Sequence, residues 1–117
     1  MKEIKVGLKF KRKKIKISGV KKLRGFEKGI GLMFRSCKKC PAMLFEFRKP
    51  TRMRIHSLFV FFKFAAVWTD DKNRVIDLKI VKPFQFIVFC KRPFYNLIEI
   101  PLNKRYQKEI KFLFGKK

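Results

Sequence analysis

The chain has 117 residues, a length that suits one domain with a buried core. Hydrophobic residues make up 47% of it and Phe alone occurs 15 times, which excludes a disordered chain although 34% of residues are charged. Lys and Arg number 32 against 8 Asp and Glu, a formal net charge of +24, so ion pairing cannot neutralise the surface and a polyanionic partner is the first functional class suggested.

Nucleic acid stands ahead of anionic membrane among such partners. The competing account is compositional, because Lys, Phe and Ile are enriched together, as a coding bias toward A and T would produce. The segment Met1 to Lys5 has no apolar signal core, and no apolar run approaches the roughly 18 residues that span a bilayer. A cytoplasmic protein without a transmembrane segment is the expectation.

Taken in chain order, Ile4, Val6, Leu8 and Phe10 alternate with polar residues or Gly, the period of a half-buried strand. After the basic tetrad Lys11, Arg12, Lys13 and Lys14 the phase shifts to Ile15 and Ile17, which predicts a hairpin turn or bulge at the tetrad. The lysines would then line one sheet face, either as a phosphate-contacting surface or as a guard against edge-to-edge pairing. Ser18 to Gly31 reads as a connection with at most one short helix, since Gly25, Gly29 and Gly31 weaken the helical spacing of Leu23, Phe26 and Ile30. Met43 to Phe47, bounded by Pro41 and Pro50, predicts a strand. The run Leu58 to Phe64, continued by Ala65 to Trp68, predicts a strand covered on both faces. Asp70, Asp71, Lys72 and Asn73 supply turn chemistry before a strand from Val75 to Val81. Further strands are predicted over Phe84 to Cys90, Tyr95 to Ile100 and the tail Lys108 to Lys117.

Several short motifs stand in a recognisable order: Gly31-Leu32-Met33-Phe34-Arg35, Met43-Leu44-Phe45-Glu46-Phe47, Ile55-His56-Ser57 with Phe59 to Phe62, Asp70 with Val75-Ile76, Lys82-Pro83-Phe84, and Leu97-Ile98-Glu99-Ile100-Pro101. Together they resemble the domain-of-unknown-function family 192, also called uncharacterised protein family 127, in an archaeal-type form, over about Val6 to Phe114. The resemblance implies a mainly β single domain (1–117) with an open or closed barrel-like sheet and one or two short helices. It implies no reaction. The chain departs from the family at Lys63-Phe64-Ala65, where many members read Pro-apolar-Asp, and at Ala42, where they carry Gly.

Cys37-Lys38-Lys39-Cys40 has the spacing with which two thiolates hold one Zn²⁺. Completing a tetrahedral site would require His56 and Cys90. A loop disulfide, or two free thiols with pKa lowered by Lys38 and Lys39, is the simpler reading, and no cofactor is expected beyond that zinc option. His56 is the only histidine, and a base built on it needs a carboxylate, for which Glu46, Asp77 and Glu99 are eligible. Glu46 and Glu99 stand inside apolar strands, so either has a perturbed pKa if it faces inward. No glycine-rich phosphate loop is present.

Two functional readings follow. One is a non-enzymatic binding module that contacts nucleic acid or another polyanion through Lys11, Arg12, Lys13, Lys14, Arg35, Lys38 and Lys39. Phe10, Phe34, Phe47, Tyr95 and Tyr106 beside basic residues are then candidate stacking rings for single strands. The other is a small metal- or thiol-dependent site around His56, Cys37 and Cys40. A domain with an unknown protein partner, its charge mere background, is the third and plainest.

Overall fold

The structure is a computed structural model that describes residues 3–23, 41–53, 62–85 and 88–115. Six strands, β1 (Glu3–Phe10), β2 (Lys13–Leu23), β3 (Met43–Thr51), β4 (Phe64–Thr69), β5 (Val75–Val81) and β6 (Phe94–Pro101), form one sheet in the order β1-β2-β3-β6-β4-β5. Neighbours are antiparallel except β2 and β3, which run parallel. A 3-10 turn, Lys104–Tyr106, leads into a helix α1, Gln107–Phe114.

The alternation read from the sequence explains why the sheet curls into a half-barrel. Inward residues of all six strands join one apolar cluster, which includes Val6, Leu8, Ile17, Val20, Leu44, Val67 and Ile98, with Val75 and Leu78 packed against it. Tyr106 and Leu113 belong to the same cluster, so α1 and the turn before it contribute to that core. The two edge strands approach each other where Lys9 N–H donates to the Asn73 carbonyl at 2.9 Å and Lys9 bridges to Arg74. Asp70 shapes that corner. Its carboxylate accepts the N–H groups of Lys72 (2.8 Å) and Arg74 (2.9 Å) and the Arg74 Nε–H (2.7 Å). Burial pushes the Asp70 pKa up, but these bonds and the Arg74 charge outweigh it and hold the carboxyl below its ordinary value.

The opposite, convex side of β3, β6 and β4 carries a second cluster built on Met43, Phe45, Phe64, Ala66, Trp68 and Leu97. With apolar material on both faces, β4 is buried along its whole length, as its unbroken apolar run predicts. On this face Trp68 and Phe94 meet edge to face with centroids 6.3 Å apart, and Phe47 meets Phe94 at 5.8 Å.

The structure corrects the sequence reading at three places. Ser18 to Leu23 is not a connection but the end of β2, and Gly19, at φ +64°, is the extra residue of a bulge between the Ile4–Val20 and Val6–Ile17 pairs. The tail folds as α1 and not as a strand. Tyr106, Ile110, Leu113 and Phe114 have the i, i+4, i+7, i+8 spacing of a helix face, which the alternation of Ile110, Phe112 and Phe114 masks. Phe84 to Cys90 forms no strand among the described residues beyond a bridge at Val88. Pro83 and Phe84 make a turn instead, with Phe84 at φ +61° and Gln85 Oε1 accepting the Lys82 N–H at 2.7 Å. Of the expected strand over Leu58 to Phe64, residues 58–61 lie outside the described residues, Phe62 and Lys63 are not strand, and β4 takes up at Phe64.

The β1–β2 turn is a two-residue loop, Lys11 and Arg12 at φ +49° and +68°, between the paired residues Phe10 and Lys13. Positive φ at both centres is the signature of a type I′ turn, which favours Asn-Gly. Replacing Lys11 by Asn and Arg12 by Gly should therefore stabilise the protein by on the order of 1–2 kcal/mol. Thermal melting checks this, and an unchanged or lower Tm would rule out the strained turn.

Candidate polyanion-binding surface and a buried carboxyl

In the β1–β2 hairpin the inward positions go to the core, so the outward positions are left to solvent. Register pairs Lys9 with Lys14 and Gly7 with Lys16. Lys5, Lys9, Lys14 and Lys16 are exposed on that side, and Lys11, Arg12 and Lys13 are exposed at the tip. No Asp or Glu stands between Glu3 and Glu27 in the chain. The described ion pairs beside it, Lys22 Nζ to Glu46 at the far end of β2 and Arg74 to Asp70 at the corner that Lys9 bridges, are surface contacts that engage none of these cations. Like charges placed directly opposite each other destabilise a sheet, so Lys9 and Lys14 lower the intrinsic stability of the pairing they sit on.

Of the polyanion candidates, Lys11, Arg12, Lys13 and Lys14 thus fall together at the hairpin tip. Arg35, Lys38 and Lys39 lie outside the described residues, as do Cys37, Cys40 and His56. Cys90 is half-buried and its thiol is free. Burial pushes the Cys90 thiol up, nearby Asp77 adds to this, and the bonds to the Arg92 and Lys91 N–H groups and the Lys79 charge oppose it. The net effect is a thiol held above its ordinary pKa. Among the described residues no group of three or more His, Cys, Asp or Glu is placed to hold a metal ion.

The candidate stacking rings are placed otherwise than single-strand binding would need. Tyr106 is buried, and Phe10, Phe47 and Tyr95 are half-buried. Phe10 packs edge to face with Phe112 at 6.3 Å, with Lys11 Nζ over its ring at 5.2 Å. Phe34 lies outside the described residues.

Of the two carboxylates in apolar strands, Glu46 is exposed and Glu99 is buried. Glu99 pairs with Met43 on β3 and with Ala66 on β4, which puts it on the convex cluster among apolar neighbours. Burial alone raises its pKa to about 8. Two registers away on the same face is Trp68, whose Nε1–H is buried with no hydrogen-bond partner among the described residues. Lys79 Nζ lies over the Trp68 ring at 5.7 Å and donates to the Phe89 carbonyl at 2.6 Å. Nothing in the sequence marks Trp68 apart from its size. Glu99, in contrast, is visible as an acid inside an apolar strand.

Tyr106, read from the sequence as a candidate stacking ring, has a structural role instead. Its hydroxyl accepts the Ala42 N–H at 2.8 Å and donates to the Gly19 carbonyl at 3.1 Å, joining the bulge of β2 to the start of β3. Arg105 lies against the same bulge, so that a methyl group at Gly19 would run into its guanidinium. Ala65, at one of the two family departures, is fully buried in the inner cluster between Ile80 and Ile100.

No helix among the described residues is long and apolar enough to cross a membrane. No family model matches the chain. No curated protein matches it by sequence. Two solved structures share its architecture. A protein of unknown function from Novosphingobium aromaticivorans is 14% identical with a TM-score of 0.70, the match covering 91% of this chain and 77% of that one. A Sinorhizobium meliloti protein described as a "putative transcription regulator" is 13% identical with a TM-score of 0.72, covering 92% of this chain and 86% of that one. At such identities the likeness is one of fold, and it places this chain among small curled β domains.

Proposed function

We propose that the protein is a non-enzymatic binding module that engages a polyanion, nucleic acid foremost, through the outward face and tip of the β1–β2 hairpin. The observation that carries this reading is the unneutralised row Lys5, Lys9, Lys14 and Lys16, set cross-strand and continued by Lys11, Arg12 and Lys13. A sheet that served only as scaffold would be more stable with an acid opposite Lys9 or Lys14, and with Asn-Gly at the turn. Retaining cations at both places fits a surface selected for an anionic partner. The "putative transcription regulator" among the structural neighbours is consistent with nucleic acid as that partner. The family resemblance brings no reaction with it.

The test is fluorescence anisotropy of a labelled oligonucleotide at two salt concentrations. Affinity should fall by about 0.7 to 0.9 log units per log unit of salt for each phosphate bound. Absence of binding at low salt removes the proposal.

A further inference from the structure

Resting on that reading, we infer that the outer side of the β5 edge is a stacking platform for unpaired bases, with Phe84 and Phe89 as its rings, so that the polyanion is single-stranded nucleic acid. These two residues keep 53% and 52% of their surface exposed, the highest values of any large apolar side chain among the described residues. Both stand among cations. Lys79, Lys82, Lys91 and Arg92 flank them in the chain, and no Asp or Glu occurs between Asp77 and Glu99. Lys79 Nζ donates to the Phe89 carbonyl at 2.6 Å and lies 5.0 Å from the centre of that ring. Since Lys79 pairs with Ala66 of the convex cluster, this contact holds Phe89 on the outer side of the curled sheet. The Lys91 N–H bonds Asp77 Oδ2 at 3.1 Å, which brings Lys91 to the same edge, and Phe84 stands in the turn directly after β5. Asp77 itself is engaged, its other oxygen accepting the Leu78 N–H at 2.9 Å.

Stacking on a base asks for a ring that is fixed in place, open on one side and close to cations. Phe89 meets all three conditions, being tied at its carbonyl and backed by an ammonium group while half of its surface stays open. Phe84 carries a second mark. It sits at φ +61°, a region that bulky side chains rarely adopt and glycine enters freely, so an exposed ring is kept where the backbone disfavours one. The platform also continues the hairpin surface. Lys5, Lys9, Lys14 and Lys16 face the same outer side, and Lys9 bridges to Arg74 just before β5 begins. From Arg74 to Lys79 the chain runs roughly 15 Å, a span that a strand gripped at Lys9 and Lys14 crosses with a few nucleotides. A duplex keeps its bases stacked on one another and has none to spare for these rings. A bilayer suits them less well, because inserting Phe89 would draw the Lys79 ammonium toward hydrocarbon, whereas a stacked base brings its phosphate toward that charge.

The experiment titrates a labelled oligothymidylate of about 15 nucleotides, an abasic oligomer of the same length and charge, and a DNA duplex of that length, each at several salt concentrations. Wild type should bind the oligothymidylate at least tenfold more tightly than the abasic oligomer, and more tightly than the duplex. Phe84→Leu/Phe89→Leu should erase the advantage over the abasic oligomer while leaving the salt slope and the Tm unchanged, and Phe84→Tyr/Phe89→Tyr should retain it. Met53→Ala, which trims another exposed apolar side chain, should change nothing. Lys9→Gln/Lys14→Gln/Lys16→Gln should instead lower the slope by about 2, near 0.7 for each phosphate released from its lysine. Equal binding of the abasic oligomer, tighter binding of the duplex, or full affinity in the leucine variant overturns the inference, and the polyanion reading then survives alone. So does tighter binding to vesicles of anionic phospholipid that the leucine variant loses, which would make the two rings a membrane contact. No binding of any of the three nucleic acids at low salt sinks both.

Discussion

Glu99→Gln should abolish most of the pH dependence of stability between about pH 5 and pH 8 and make the protein markedly more stable than wild type above pH 8. Glu99 is buried on the convex cluster, and its pKa stands at about 8 against an ordinary 4.5. The folded pKa is the higher one, so the folded state binds the proton more tightly than the unfolded chain. The ionisation of Glu99 therefore costs the fold nothing below pH 4.5, becomes increasingly destabilising as the pH rises toward 8, and has its full effect beyond. A shift of this size amounts to on the order of 5 kcal/mol, a large part of the stability of a domain this small. The amide stays neutral throughout but brings its own buried polar atoms, so Glu99→Met, near in volume and without hydrogen-bonding demands, is the companion variant. Subtracting each variant's Tm-against-pH curve from that of wild type isolates Glu99 from every other titrating group. Parallel curves for wild type and both variants would show that Glu99 is ionised in the fold.

Tyr106→Phe should destabilise the protein by about 2–4 kcal/mol, a large effect for the loss of one oxygen atom. The hydroxyl partners the buried Ala42 N–H and the part-buried Gly19 carbonyl, and the phenyl ring retains the packing while leaving both backbone groups without it. Each buried group so stranded costs about 1–3 kcal/mol. Urea denaturation measures the change, with an unaltered m-value indicating that the fold itself persists. A loss below about 0.5 kcal/mol would mean that the two backbone groups find other partners.

The parts of the fold legible in the sequence are those governed by local period. Ile4, Val6, Leu8 and Phe10 against Ile15 and Ile17 define both strands of the hairpin and its two-residue turn, because one face of each is buried and the other is not. Gly19 misled because a glycine marks a break in a chain or a bulge within a strand with equal force, and only the register with β1 distinguishes the two. The tail misled because six residues rich in Phe, Ile and Leu satisfy a period of 2 and a period of 3.6 alike, and Tyr106 beneath the bulge decides between them. The hairpin cations and the acid in β6 were readable as candidates. Which acid is buried was not, since Glu46 and Glu99 occupy similar sequence contexts and differ in which face of the sheet their register gives them. The role of Tyr106 had no local trace, its partners being 64 and 87 residues away.

That separation has a consequence for how the molecule is born. The hairpin needs only the first two dozen residues and can pair as soon as they leave the ribosome. The carbonyl of Gly19 and the N–H of Ala42 must wait until residue 106 has been translated. During that interval a cationic hairpin with one apolar side stands beside ribosomal RNA, and the later strands together with the turn and helix over 104–114 bring its inner side under cover.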